Sequence, residues 1–346
     1  MKRSLNRTYA SRLRACWWFA GLALPLLVMG CQDRSSSSRT PGPRMSPVRS
    51  DAPISRQPLL GISGLAWLRA DTFLAVHDAK HPEEALAPRV SLITRSATGN
   101  GWTPVPLRVT WPTEAGPSSD LESVAPIPGT PDLLLVESGG GRKPVPHVYL
   151  ARRSGATLRI RSAAAWPVPV TNVEGSAVAQ VGDQLVFVFA ERSAGQDSTA
   201  LTWSALSADA LHAGQLQWST FQRVAVPNLA PTGAGARAVS DLAIDDRGRV
   251  YMTTAYDPND DYGPFRSSVW VVGRLTHDDV GMPTIVLATP FCRQATLDGL
   301  KVEGLAVQHS TAAASSDQPT AHLFVGTDDE QLGAVFRPLP AASCSS

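Results

Sequence analysis

The chain has 346 residues, 43% hydrophobic and 18% charged, which excludes a disordered or tail-like protein, since those combine low hydrophobicity with high charge. The net charge is +1, yet five basic residues (Lys2, Arg3, Arg7, Arg12, Arg14) and no acid fall within the first 30. The remainder is mildly acidic and has no Lys/Arg block, which argues against nucleic acid as a partner.

Residues 1–30 read as a targeting segment rather than as part of a fold. The basic stretch is followed by a mostly apolar run, Cys16 to Gly30. That run is short of the roughly 20 residues a spanning helix needs. It ends in Val28-Met29-Gly30-Cys31, which resembles the lipobox of bacterial lipoproteins. The resemblance implies cleavage before Cys31, lipid on that residue and a membrane tether. Gln32 at the next position implies the outer membrane. An ordinary secretory signal with a chance cysteine is the alternative. Residues 31–47, rich in Ser, Arg and Pro, then form a flexible tether, and residues 48–346 the folded domain.

Glycine (27) and proline (28) are spread along the chain, which favours many turns over long helices. An internal repeat organises the domain. Five segments align: Ile62-Ser63-Gly64-Leu65-Ala66, Leu121-Glu122-Ser123-Val124-Ala125, Val173-Glu174-Gly175-Ser176-Ala177, Val239-Ser240-Asp241-Leu242-Ala243 and Val302-Glu303-Gly304-Leu305-Ala306. Each is followed by an apolar run closing on an acid, at Asp78, Glu137, Glu191, Asp257 and Asp328. A third apolar stretch comes next. A fourth ends in Pro after an apolar residue or Thr, at Trp111-Pro112, Trp166-Pro167, Val226-Pro227 and Thr289-Pro290. Four short strands per period, with β-branched and aromatic residues between turn residues, predict an all-β five-bladed propeller. Six blades follow if a longer period hides extra strands, and a two-layer sandwich is the other architecture. Too few residues remain in the fifth period for four strands. Residues about 48–60 are therefore expected to supply its outer strand, so that the N- and C-terminal segments pair and close the ring.

The segments around Gly64, Leu121 and Val302, each with its following apolar run, resemble the phytase-like propeller families, "esterase-like activity of phytase" and the SdiA-regulated family, over roughly residues 59–335. The resemblance implies a secreted or membrane-anchored propeller, with calcium in several members. Ser63 and Ser240 depart from it, standing where a carboxylate would strengthen a metal site.

In a propeller the first strand of each blade lines the axial channel. Ser63, Glu122, Glu174, Ser240 and Glu303 then form one ring, with Asp241 beside it. Converging carboxylates need a cation, arginines, protons or open water to offset their repulsion. Oxygen ligands of this kind suit Ca2+, and Arg237 is the candidate internal partner. Asp78, Glu137, Glu191, Asp257 and Asp328 are expected around the channel mouth, either as ligands or as ordinary strand-terminating acids. The run from Asp257 through Asn259 and Asp261 to Gly263 alternates oxygen side chains but lacks the Gly and Glu of an EF-hand loop. His77 beside Asp78 is a candidate base, with an ordinary strand-end histidine as the alternative, and Gly139–Lys143 a candidate phosphate loop, with a flexible loop as the alternative. Cys292 and Cys344 are the pair left for a disulfide in an oxidising compartment, with two free thiols as the alternative. The leading function is a ligand- or partner-binding module of the cell envelope with Ca2+ as the candidate ion. A metal-dependent phosphoesterase or related hydrolase is the alternative.

Overall fold

The computed structural model describes residues 59–79, 87–97, 99, 101–118, 120–140, 145–192, 198–309 and 321–340. The targeting segment, Cys31, the tether and Cys344 lie outside them. Blade 1 comprises β1 (Gly64–Arg69), β2 (Thr72–Val76), β3 (Val90–Arg95) and β4 (Trp102–Pro106). Blade 2 takes β5 (Arg108–Thr110), β6 (Leu121–Pro126), β7 (Asp132–Glu137), β8 (His147–Ser154) and β9 (Thr157–Ala165). Blade 3 is β10 (Val173–Val181), β11 (Gln184–Arg192), β12 (Ser198–Leu206) and β13 (Gln222–Pro227), with helix α1 (Ala208–His212) between its outer strands. Blade 4 is β14 (Ala236–Ile244), β15 (Arg249–Tyr256), β16 (Arg266–His277) and β17 (Pro283–Asp298). Blade 5 is β18 (Val302–Gln308), β19 (His322–Thr327) and β20 (Phe336–Pro338).

Each blade is an antiparallel meander running outward in chain order, except that in blade 2 the first strand, β5, is added at the outer edge beside β9. The aligned segments supply the inner strands, and these contact one another as a ring, β1 to β6 to β10 to β14 to β18 and back to β1. The fold is therefore a five-bladed β-propeller. Among the described residues the two longest periods hold no sixth sheet; one carries α1 and the other the extended pair β16 and β17.

Five apolar clusters hold the ring together, one between each pair of neighbouring blades. Leu74 and Val76 of β2 pack with Leu133 and Leu135 of blade 2. The alternate residues of β2, Phe73 and Ala75, pack with Ala306 and Phe324 of blade 5. Both faces of each second strand are thus buried, which is why these strands read as continuous apolar runs instead of alternating ones. The alanine column faces forward: Ala66, Ala125, Ala177, Ala243 and Ala306 each join the cluster shared with the next blade.

The ends of the domain meet between blades 5 and 1. The Ile62 N–H donates to the Thr327 carbonyl at 3.0 Å. Phe73, Trp102, Phe324 and Phe336 pack edge and face across the seam. Leu59 and Leu60 are not in a strand, and the rest of the segment expected to complete blade 5 lies outside the described residues.

Two of the proline markers fall elsewhere than the repeat predicts. Blade 1 ends at Pro106, and Trp111-Pro112 follows β5, which crosses to blade 2 and pairs parallel with β9. Thr289-Pro290 lies inside β17, where the register against β16 jumps from Leu287 opposite Gly273 to Cys292 opposite Val271. The residues looped out by that jump include the proline, which has no N–H to give a ladder.

The small residues after the Glu/Ser column let inner strands approach one another. A Cβ on Gly175 would sit 2.4 Å from the Leu242 nitrogen, and one on Gly64 would sit 2.7 Å from the Glu122 carbonyl oxygen. Gly175→Ala is therefore expected to destabilise the protein by about 1–3 kcal/mol, the usual range for overpacking. Urea denaturation measures it, and a loss under about 0.5 kcal/mol would mean that blades 3 and 4 are not held this closely.

Candidate functional site

Four of the five inner strands break register beside the Glu/Ser column, whereas β1 shifts further along, between Trp67 and Arg69. The pairing shifts between Leu121 and Ser123, Val173 and Gly175, Arg237 and Asp241, and Val302 and Gly304. A bulge leaves one residue out of the ladder and re-aims its side chain. Glu122, Glu174 and Glu303 are those residues, and all three are buried. Their repulsion is met by cations from the chain itself. Arg237 lies among them: Nη1 donates to Glu303 Oε1 at 2.8 Å and Nη2 to Asp257 Oδ2. Burial alone would lower the pKa of Arg237, but Glu303, Asp257, Glu174 and Glu122 together raise it.

Lys301 is the second cation. Its side chain is only 3% exposed, with Nζ 3.3 Å from Glu303 Oε1, 3.4 Å from Asp257 Oδ2, 3.7 Å from Asp328 Oδ2, and paired with Glu330. Arg192 is the third; its Nε donates to Glu174 Oε1 at 2.9 Å, and Asn172 donates to the same oxygen at 2.6 Å. Sequence reasoning named Arg237 but missed Lys301 and Arg192. The available signal was position: Lys301 immediately precedes the inner strand of blade 5, and Arg192 follows the strand-closing Glu191.

The strand-closing acids divide. Asp257 and Asp328 join the mouth through Lys301, and Asp78 lies close enough to act on the charge of Asp328. Glu137 does not join it. It is buried within blade 2, accepting from Tyr149 Oη at 2.9 Å and from the His147 N–H at 2.7 Å. Glu191 accepts the Thr171 N–H at 3.1 Å, which ties a loop of its own blade. The carboxylates after Asp257 cap their own turns, with Asn259 N–H on Asp257 Oδ1 at 2.8 Å and Tyr262 N–H on Asp260 Oδ1 at 3.0 Å. His77 is buried, with Nδ1 at 2.6 Å from the Gly61 carbonyl and Nε2 at 3.0 Å from Ser91 Oγ. A nitrogen facing a carbonyl must donate, so Nε2 accepts from the serine, and burial lowers the pKa of the ring. This histidine is a packed neutral residue, not an available base. Gly141, Arg142 and Lys143 of the candidate phosphate loop lie outside the described residues. Cys292 is disulfide-bonded.

Asp241 has a role that its place in the repeat concealed. Its carboxylate accepts N–H groups from Leu242 at 2.7 Å, from Leu305 at 2.5 Å, and from Leu65. It therefore binds the inner strands of blades 4, 5 and 1 to one another. Burial pushes its pKa well above the ordinary carboxyl value. Serines make similar ties: Ser123 Oγ accepts the Ser176 N–H at 2.8 Å, and Ser240 Oγ donates to the Val302 carbonyl at 2.7 Å. Ser63 Oγ accepts the Asp78 N–H at 3.2 Å. Further along the axis, the alanine column lines a cavity of about 310 Å³.

These partners bear on the expected calcium set of Ser63, Glu122, Glu174, Ser240, Asp241 and Glu303. Among the described residues no group of three His, Cys, Asp or Glu side chains is arranged to hold a metal. Glu174 and Glu303 face guanidinium or ammonium groups, Asp241 faces three N–H donors, and both serines tie strands. The donor set does not fit Ca2+, which needs six to eight oxygens turned to one point.

One mouth carboxyl is held near neutrality. Asp328 is pushed up to about 7, by burial first and then by Glu303, with Glu330 and Asp78 adding to it against Lys301. A carboxyl raised in the folded state favours folding at low pH, and that contribution is lost as pH rises from 3.8 through about 7. Asp328→Asn cannot ionise, so its stability relative to the parent should rise by about 2–4 kcal/mol between pH 3 and pH 9. Urea denaturation across that range tests this. A difference independent of pH would mean that Asp328 is not held in this way.

No family model matches the chain, and no curated protein matches it by sequence. Among solved structures it is similar to an exo-1,5-alpha-L-arabinanase from a bovine ruminal metagenomic library, at 7% identity over 84% of this chain and 99% of that one, with a TM-score of 0.46. It is also similar to a GH43 endo-arabinanase from Bacillus licheniformis, at 10% identity over 82% of this chain and 96% of that one, with a TM-score of 0.43. Likeness at this level says nothing of chemistry; the chain is a five-bladed β-propeller by its own strand order.

Proposed function

We propose that this protein is a ligand-binding propeller of the bacterial cell envelope, lipid-anchored through Cys31, whose axial mouth receives a small polar ligand. The observation that supports it most is the pairing of Arg237 with Glu303 and Asp257, with Glu174 and Glu122 near enough to raise its pKa and with Lys301 and Asp328 alongside. Such a mouth presents fixed donors and acceptors in one partly buried place. It is suited to a ligand whose hydroxyl or ammonium groups exchange for contacts the side chains make with each other. Strand bulges hold those side chains in position, which reduces the ordering cost of binding.

A thermal-melt screen of the full chain against monosaccharides, oligosaccharides and polyamines tests the proposal. A ligand at 100 times its dissociation constant adds about 2.7 kcal/mol. The expected result is a clear rise with one class, lost in Glu174→Gln. No rise with any compound, or a rise the variant keeps, would remove the mouth as the site. Ca2+ added after EDTA is expected to leave the melt unchanged, because the donors are turned to the chain's own cations.

A hydrolytic reading is favoured by Asp328 alone. A carboxyl near neutrality, beside a lysine and a second carboxylate, has the pKa of a general acid or base. It predicts ester or glycoside turnover whose rate changes through pH 7 and disappears in Asp328→Asn. Absence of turnover on both substrate classes leaves the binding reading standing alone.

A further inference from the structure

At the far end of β8 from His147 and Glu137, the β8–β9 hairpin carries Arg152, Arg153, Arg159 and Arg161. In β9, Leu158 and Ile160 are buried, while Arg159 and Arg161 alternate with them on the opposite face. Arg152 stands directly across the ladder from Arg159. Like charges in that position repel, so something must favour them. Asp132, itself buried, accepts from Arg152 Nε at 2.6 Å and Nη2 at 2.8 Å, and from Arg161 Nη1 at 2.6 Å. A single carboxylate thus braces two guanidiniums, and Arg159 has no ion pair among the described residues.

The three arginines line a bowl of about 470 Å³ with Ser154, Ala213 and Gly214. Gly214 has φ +80, and a Cβ there would lie 2.8 Å from Arg161 Nη2. A side chain here would displace the guanidinium, whose Nη2 also reaches the His212 carbonyl at 3.4 Å. The bowl therefore has a fixed wall and a buried anchor.

We propose that the bowl formed by Arg152, Arg159 and Arg161, braced by Asp132, binds a phosphoryl group. Three positive charges against one negative leave about two, which matches the charge of about −1.5 to −2 on a phosphomonoester at neutral pH. Guanidiniums present paired donors to phosphate oxygens. The same chemistry is found on a free phosphate ester and on a lipid headgroup. This site is separate from the axial mouth and independent of what the mouth binds.

Isothermal titration of the full chain with pyrophosphate, and with dihexanoyl phosphatidate below its micellar concentration, tests the proposal. Saturable binding that Arg159→Gln weakens at least tenfold is expected, with affinity falling as salt is raised. Arg159 has no ion pair among the described residues, so the variant should melt like the parent. Arg159→Lys should recover part of the affinity, because it restores the charge without the paired donors. Similar affinities for the two compounds assign the site to free phosphoryl anions, and a tenfold preference for phosphatidate assigns it to a lipid headgroup. Absence of heat with both, or binding that Arg159→Gln leaves unchanged, overturns the proposal.

Discussion

Replacing Asp241 by alanine is expected to destabilise the domain by about 3–5 kcal/mol, since each buried donor left without a partner costs about 1–3 kcal/mol. The substitution orphans the N–H groups of Leu65, Leu242 and Leu305, which belong to three different blades. A loss of that size is a large share of the 5–15 kcal/mol that typically holds a domain together, so the alanine protein is expected to fold poorly. Asp241→Asn provides the milder test. Its amide oxygen can still accept, while its NH2 group turns a donor toward a donor. Amide hydrogen exchange at Leu65 and Leu305 should quicken in the asparagine variant ahead of exchange in the outer strands. Unchanged protection at both residues would mean that the ring does not depend on this carboxylate. The pH dependence has a definite sign. A buried carboxyl with a raised pKa favours folding at low pH, and that contribution fades as pH rises through the raised value. The parent should therefore lose stability toward alkaline pH more steeply than Asp241→Asn.

Asp241 shows what a repeat reveals and what it hides. The five-fold column of alanines and the column of Glu or Ser were legible because one structural task recurs in every blade. Inner strands must pack forward on a small residue, and in four of the five a bulge forms at the same level. Symmetry of this kind fixes blade number and places Glu122, Glu174 and Glu303 together. It says nothing of residues that break it. Asp241 stands where the other blades have Gly64, Ser123, Gly175 and Gly304, and it resembled one more oxygen ligand. Its partners come from blades 5 and 1, far away in sequence, and only the closed ring brings them to it. Glu137 is the converse case. It fits the strand-closing column, yet Tyr149 and His147 of its own blade use both its oxygens. Lys301 and Arg192 were illegible for a simpler reason. Each lies one residue outside an aligned segment, and a long side chain there can turn to solvent or to the axis.

Arg237→Gln is expected to cost about 3–5 kcal/mol, the range for removing one partner of a buried ion pair. Glu303 and Asp257 would keep their burial and lose the guanidinium between them. Lys301 would remain, but one ammonium already shared among four carboxylates cannot make the two directed contacts that Arg237 makes. The sign with pH differs from that of Asp241. Burial would raise the Asp257 pKa, yet Arg237, the Asn259 N–H and Lys301 outweigh it and hold the carboxyl below its ordinary value. Such a group adds stability above its unfolded pKa and loses it as pH falls through the lower folded value. The gap between parent and Arg237→Gln should therefore be widest near neutrality and narrow as pH falls below about 3.8. Urea denaturation at pH 7 and pH 3 measures both ends. If the gap is as wide at pH 3, the loss comes from packing of the arginine stem and not from its charge. Arg237→Lys separates the two further, since it keeps a charge and gives up the second arm. A lysine variant that recovers most of the stability would show that the mouth requires only a positive charge at this point. One that recovers little would show that Glu303 and Asp257 are held apart by the span of a guanidinium, and that the spacing of the mouth is set by Arg237.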